Sequence, residues 1–484
     1  MSLKTVLWMV GIVLGVVGLA QIPSLGVALV LGEPWAPFAL TLAIGLGLGW
    51  LFAGRVQRED LSLNHRSAFL AVTLSWVGAC ALGAVPLLTD PAPALSVLDA
   101  FFESTAGFTT TGATAISGLD RMPRSLLLWR SLSQWLGGMG MVLLGVAVFP
   151  LLGLGGMQLF KAEAPGPSKD KLTPRIAETA KILWVLYLGL TVLDAVLLYF
   201  GGMSLFDAVC HSMSTISTGG FSTHDASLAH YDSGFIHLVT AAFMLLGGTS
   251  FLILHLTLTR GLVFSKQPEL RAYLAIFTAA ALLVALDLGF RMPEKYDSAA
   301  MALEHGIFQA ASILTTTGFT TRDFDLWPSL SHAVLLILCF VGGMAGSTSG
   351  GIKVIRVLVV ARLAWAQFFR LSHPRGVGAI RIGTQTLDEG IVLSVLGFFG
   401  MWFFVLFLGT ALLSLFGSDV LTAFSAAAVS LGNIGPGFGG VGPSHTYHAL
   451  ETGAKLTLCA LMILGRLEIY TALIVLSPSF WRRW

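Results

Sequence analysis

Long apolar runs separated by short polar stretches recur along the whole chain. Ten of them, at 5–31, 36–54, 67–88, 125–154, 177–200, 233–260, 271–291, 331–363, 389–416 and 452–477, come near or exceed the roughly 20 residues a helix needs to cross a bilayer core. The longest imply tilt or breaks. Four shorter apolar segments, 96–108, 204–216, 299–314 and 420–431, are too short to cross. Each precedes a Gly-rich polar stretch and then another long run. The order long helix, short helix, Gly-rich loop, long helix therefore occurs four times, an internal repeat that requires each short helix to dip into the membrane and return.

Composition agrees. Of 484 residues, 55% are hydrophobic and 11% charged, against about 25% charged in soluble domains. The soluble multidomain chain that length alone suggests is excluded. The N-terminal run continues past residue 30, and no clean small-x-small cleavage site precedes a polar mature region, so it reads as a retained span rather than a signal peptide. Cys80, Cys210, Cys339 and Cys459 lie far apart in apolar segments with no metal-ligand spacing, and read as small buried hydrophobes.

Charge sets the expected orientation. Twenty of the 28 basic residues fall on one side of the ten-span topology, among them Arg55, Arg58, Lys161, Lys169, Lys266, Arg356, Arg375 and Arg483. The positive-inside rule makes that side cytoplasmic. Both termini are then inside, and all four Gly-rich loops enter from outside. The outer side carries Asp90, Asp120, Asp225, Asp232, Asp323, Asp325, Asp419 and Glu451. A rim that concentrates cations and ordinary solvated loops account for these carboxylates equally well. His224, His230, His445 and His448 read as outer-loop residues rather than metal ligands.

The loops are Thr109-Thr110-Thr111-Gly112, Ser217-Thr218-Gly219-Gly220, Thr315-Thr316-Thr317-Gly318 and Gly432-Asn433-Ile434-Gly435. Backbone off a helix at membrane depth must be buried in protein or line a water-filled path. Four such segments around one axis present rings of carbonyl oxygens that can replace the hydration shell of K⁺. Glycine permits the positive φ this needs, and threonine adds a hydroxyl. Taking Gly112, Gly219, Gly318 and Gly435 as the central glycines, the expected ion-binding residues are Thr110, Thr111, Gly112, Thr218, Gly219, Thr316, Thr317, Gly318, Asn433, Ile434 and Gly435, with K⁺ as the transported ion. No carboxylate lies within these stretches.

With Gln134-Trp135-Leu136-Gly137-Gly138-Met139-Gly140, the run Gly342 to Lys353, and Gly465-Arg466-Leu467-Glu468, the chain resembles the Trk/Ktr/HKT superfamily of K⁺ transporters over essentially its full length. The leading pair of spans fits the bacterial Trk-type branch. The resemblance implies an all-α polytopic membrane protein with four membrane–pore–membrane units around one pore, preceded by an extra helix pair. Glycine at the first position, here Gly112, implies K⁺ rather than the Na⁺ associated with serine there in plant relatives. It further implies a homodimer in the bacterial inner membrane and a cytoplasmic nucleotide-binding regulatory subunit of the TrkA type, so that nucleotide is expected only on the partner. The expected units are 1–60, 61–160, 161–265, 266–375 and 376–484.

Glycines and hydroxyl residues at 342–353 interrupt an apolar span and would break its helix. The family places a gating loop there, matching Gly346, Ser347, Thr348, Ser349, Gly350 and Gly351. The GxxxxGK[ST] spacing of a nucleotide P-loop is not met. Arg466 lies mid-span, where a charge is costly and a functional candidate by default. The resemblance makes it a barrier or gate element facing the pore. No cluster of His, Asp or Glu shares a site within the membrane, which points away from an enzyme, and nothing indicates nucleic acid. A Na⁺-coupled or weakly selective cation transporter on the same fold is the nearest rival. The basic segments 155–176 and 364–388 are the expected docking regions for a partner.

Overall fold

The computed structural model describes residues 2–56, 64–92, 94–147, 172–261, 267–373, 380–383 and 385–482. Most of the expected docking segment 155–176, and Arg58, Lys161, Lys169, Lys266, Arg375 and Arg483, lie outside them.

A leading pair opens the fold. α1 (Leu3–Leu19) and α2 (Ile22–Leu31) form one run interrupted at Ala20–Gln21, with a proline in the first turn of α2. α3 (Ala36–Ala53) packs back against α1. Small residues make this approach possible: a Cβ on Gly45 would stand 2.7 Å from Gly18 Cα, and one on Gly49 3.1 Å from the Gly11 carbonyl. The glycine stripe of α1 is therefore spent inside the chain.

Four units follow. The first has α4 (His65–Thr89), the short α5 (Val97–Phe108) and α6 (Arg124–Ala147). The second has α7 (Leu172–Phe200), short α8 (Leu205–Ile216), then α9 (Gly234–Gly247) and α10 (Phe251–Arg260). The third has α11 (Pro268–Arg291), short α12 (Ala299–Leu314), α13 (Ser329–Leu338) and α14 (Val354–Ser372). The fourth has α15 (Glu389–Leu415), short α16 (Val420–Gly432), α17 (Thr452–Arg466) and α18 (Tyr470–Leu476), closed by α19 (Pro478–Trp481). Between the third and fourth units, β1 (Arg381–Ile382) pairs antiparallel with β2 (Gln385–Thr386).

Among the described residues, six helical runs are long and apolar enough to cross a membrane, and two bent pairs bring the number to eight. Of the other two expected spans, 125–154 extends beyond the described residues, and 331–363 is split into α13 and α14. The single span expected at 233–260 bends by 99° between α9 and α10, and that at 452–477 by 118° between α17 and α18. Long helices such as α7 and α15 expose Leu188, Val192, Phe404 and Phe407, the all-round apolar surface a lipid-facing helix presents.

The four short helices coincide with the short apolar segments of the sequence. Each opens on a side-chain cap: Ser96, Ser204, Ser298 and Asp419 accept the N–H of Asp99, Asp207, Met301 and Thr422. In the first two, the serine hydroxyl also donates to the third-position aspartate, at 2.7 and 2.6 Å. Their C-terminal ends are buried, and the Gly-rich loops begin there.

Candidate functional site

The four loops share one backbone path. Immediately past each short helix, Thr110, Thr218, Thr316 and Asn433 take φ of 53°, 52°, 59° and 54°. The next N–H turns back to the helix: Thr111 to the Ala106 carbonyl, Gly219 to Ser214, Thr317 to Ser312 and Ile434 to Val429, at 2.8–2.9 Å. Then comes a glycine with positive φ: Gly112 at 77°, Gly220 at 80°, Gly318 at 86° and Gly435 at 106°. Positive φ is where glycine is least strained.

This path corrects the register of the second loop. The sequence reading aligned Gly219 with Gly112, but the residue at that station is Gly220. Gly219 corresponds to Thr111, Thr317 and Ile434. The Gly219-Gly220 pair made both alignments possible in sequence, and only the φ pattern separates them.

The loops close into a ring. A Cβ on Gly112 would run into the Gly219 carbonyl, one on Gly220 into Thr317, one on Gly318 into Ile434, and one on Gly435 into Thr111. Each glycine thus lies against the carbonyl of the next loop, in the order first, second, third, fourth and back to the first. The four glycines line one cavity together with Arg130, His224, Asp225 and His445. Among the described residues, no hydrogen-bond donor reaches the carbonyls of Thr110, Thr111, Thr218, Thr316, Thr317, Asn433 or Ile434. All seven of these residues are buried. Buried carbonyls are nearly always paired, so a cluster of unpaired ones around an axis suits a cation. The C-terminal ends of four short helices add negative dipole ends at the same place.

Side chains hold the ring from behind. Thr111 and Thr317 share hydrogen bonds with Thr109 and Thr315, hydroxyl to hydroxyl at 2.7 Å. Asn433 Nδ2 donates to Thr111 Oγ1 at 3.0 Å and to the Met462 carbonyl at 2.9 Å, joining the fourth loop to the first. A buried ion pair backs the first two loops. Arg130 Nε donates to Glu103 Oε1 at 2.9 Å, and Nη1 to the Ser222 carbonyl at 3.0 Å. Glu103 also accepts the Ala115 N–H at 2.9 Å.

Several rim carboxylates are clamps between units. Asp225 accepts the N–H groups of Gly118 and Leu119, Asp325 that of Gly439, and Asp323 the Ser444 hydroxyl. His224, hydrogen-bonded to Asp120 at 2.6 Å, holds that carboxyl below its usual range. The His224 and His230 rings stack in parallel at 3.6 Å, so no ion between them lies in both ring planes as imidazole coordination wants.

On the other side of the ring lies the interruption between α13 and α14. All six residues expected as a gating loop fall within it. Thr348 Oγ1 is 3.0 Å from the Ile216 and Gly247 carbonyls and 3.3 Å from Thr218 Oγ1. The Gly350 N–H donates to Thr316 Oγ1 at 2.7 Å, and a Cβ on Gly350 would collide with the Gly432 carbonyl. Ser347 and Ser349 share a hydroxyl contact of 2.6 Å. Glu269, at the start of α11, accepts the Ala345 N–H at 2.8 Å. Gly346 and Gly351 take positive φ. The segment thus rests against the threonines that begin the second and third loops.

Arg466 is fully buried at the end of α17. Its guanidinium donates to the carbonyls of Thr348 and Gly137, each at 2.8 Å. Glu468, its neighbour in sequence, is paired with Arg356 of α14 instead. Glu468 and Ile469 both have positive φ, uncommon for such residues, and turn the chain sharply between α17 and α18. Sequence reasoning gave no site role to Glu103, Arg130, Glu269 or Arg356. Their only signal was a charge in or beside an apolar segment.

The fold defines a polytopic all-α membrane protein of four repeated units around one axis, preceded by an extra helix pair. Residues 36–483 match the family described as "TrkH: Cation transport protein", and the chain belongs to that family. It is 42% identical to the Trk system potassium uptake protein TrkH of Vibrio parahaemolyticus, over 100% of both chains. It is 42% identical to that of Escherichia coli K12, over 92% of this chain and 91% of that protein. It is 35% identical to Escherichia coli TrkG, over 99% of each. The crystal structure of the potassium transporter TrkH from Vibrio parahaemolyticus superposes with a TM-score of 0.91 at 40% identity, covering 100% of both chains.

Proposed function

We propose that this chain carries K⁺ into a bacterial cell through one pore, with the four Gly-rich loops as its ion filter. The observation that carries this reading is the closed ring of four positive-φ glycines beside a cluster of buried carbonyls, seven of which meet no donor among the described residues while that of Gly219 accepts one from Gln134. Carbonyl rings replace the hydration shell of K⁺ without the strong binding a carboxylate ring would impose. The full-length similarity to proteins named for potassium uptake supports the choice of ion. In this reading Gly220 joins Gly112, Gly318 and Gly435, and Thr110, Thr111, Thr218, Thr316, Thr317, Asn433 and Ile434 complete the filter.

The interruption at 346–351 is the gate, with Arg466 as its latch. The distribution of Lys and Arg supports cytoplasmic termini, and the similarity to Trk system proteins supports placement in the bacterial inner membrane. The pore subunit pairs with a second copy and is regulated by a nucleotide-binding partner of the TrkA type. The test is flux into liposomes containing only this protein, comparing K⁺, Rb⁺, Na⁺ and Li⁺ under an imposed voltage. K⁺ and Rb⁺ flux well above Na⁺ and Li⁺ is expected. Equal flux of all four would remove the selectivity assignment. A dependence of K⁺ flux on a Na⁺ gradient would favour the Na⁺-coupled rival.

A further inference from the structure

The second loop lacks a side chain that its three counterparts carry. Thr111, Thr317 and Ile434 each stand one residue before the positive-φ glycine, and the second loop has Gly219 there. Its backbone does not demand this, because Gly219 itself does not have positive φ. Space does. A Cβ on Gly219 would fall into the side chain of Gln134 from α6, 2.9 Å from its Cγ and closer still to its amide carbon.

Gln134 is fully buried and uses both ends of its amide on this loop. Its Nε2 donates to the Gly219 carbonyl at 2.7 Å, and its Oε1 accepts the Phe221 N–H at 3.0 Å. The opposite amide orientation would set acceptor against acceptor and donor against donor, so the network itself assigns it. The first and third loops reach their conformation differently, through the hydroxyl contacts Thr109–Thr111 and Thr315–Thr317. In the second loop Ser217 holds the matching station, and its hydroxyl turns back to the Ser214 carbonyl at 3.2 Å.

We propose that Gln134 is the positioning residue of the second loop, its amide standing in for the missing side chain and fixing the Gly219-Gly220 backbone. Two consecutive glycines have more rotational freedom than any other pair. Unrestrained, the peptide between them can rotate and withdraw one carbonyl from a ring of four. K⁺ discrimination then depends on a residue outside all four loops. This rests on the reading of the loops as the ion filter.

The test measures the K⁺ to Na⁺ permeability ratio of the full chain in liposomes, with thermal stability alongside. Gln134→Leu keeps the bulk and removes both bonds. Gln134→Met keeps the unbranched length and offers neither a donor for Gly219 nor a strong acceptor for Phe221. Each is expected to lower the ratio at least about fivefold, the effect of losing a buried hydrogen bond. The decisive variant is Gln134→Ala with Gly219→Thr, which clears the space and rebuilds the side chain of the first and third loops, with Ser217 in reach of its hydroxyl. It should recover most of the wild-type ratio. An unchanged ratio in Gln134→Leu overturns the proposal, and so does a fall in stability with the ratio intact. If the single variants do not fold, the double variant decides: a retained ratio supports the proposal and a lost ratio overturns it. A wild-type chain that does not discriminate refutes the filter reading and this inference with it. Discrimination in the wild type with indifference at Gln134 refutes the inference alone.

Discussion

Arg466 donates a hydrogen bond of 2.8 Å to the carbonyl of Thr348, and so ties the break in the fourth unit to the interruption in the third. The same guanidinium reaches Gly137 of the first unit. Thr348 in turn rests on Ile216, Gly247 and Thr218 of the second. One buried arginine thus gathers segments from all four units on one side of the ring. Glu468, two residues on in sequence, is paired with Arg356.

If the interruption is a gate, removing this latch frees it. Arg466→Ala is expected to raise K⁺ flux through the protein without its partner by about tenfold, the population shift that about 1.4 kcal/mol of lost hydrogen bonding produces. Voltage-driven flux in liposomes measures this. Flux at or below the wild-type level, in a protein of unchanged stability, would remove Arg466 from the gate.

The corrected register makes a prediction of its own. A side chain at Gly220 must adopt a left-handed backbone and displace the Thr317 carbonyl, just as one at Gly112 displaces Gly219. Gly220→Ala, Gly112→Ser and Gly318→Ala should therefore each weaken K⁺ over Na⁺ discrimination, at a backbone cost of about 1–2 kcal/mol. Reversal potentials under mixed-ion gradients test it. Discrimination kept in Gly220→Ala but lost in Gly112→Ser would return Gly219 to the central position.

Glu103 and Arg130 form a pair with almost no solvent exposure. Glu103→Gln leaves an uncompensated buried guanidinium behind the first two loops. A loss of about 3 kcal/mol is expected, read as a lower midpoint of thermal unfolding in detergent. A companion change of both residues to apolar ones of similar volume should lose less. If the double change is as damaging as the single one, hydrogen bonds to Ser222 and Ala115 outweigh the charge pairing.

The leading pair lies apart from the ring, and its glycine contact should matter for assembly alone. Gly45→Leu forces α3 off Gly18 of α1 and is expected to destabilise the chain by about 2 kcal/mol through overpacking. The K⁺ to Na⁺ ratio should not move. A changed ratio would mean that the pair is mechanically coupled to the loops.

Much of the architecture is legible in the sequence because a bilayer allows few solutions. Apolar length separates spans from short helices, and each short segment at 96–108, 204–216, 299–314 and 420–431 is a helix within a residue or two. Ser96 and Ser204, each three residues before an aspartate, mark two of the starts. The break at 342–353 is visible as glycines and hydroxyls in an apolar run. The bends after Gly248 and at Glu468–Ile469 are not, because neighbouring chain stabilises them: Phe251 N–H on the Gly346 carbonyl, and Arg356 on Glu468.

The sequence by itself determined the class of protein, the four-fold repeat and the stations of the four loops, since burial in lipid constrains length and polarity residue by residue. Tertiary structure alone decided the register of the second loop, the order of the ring and the partners of Arg466, Arg356 and Gln134. Those depend on which backbones meet across hundreds of residues, as between Thr111 and Asn433, and no local pattern records such a meeting. A glycine pair such as Gly219-Gly220 is the limiting case, because a residue without a side chain takes its place from what surrounds it.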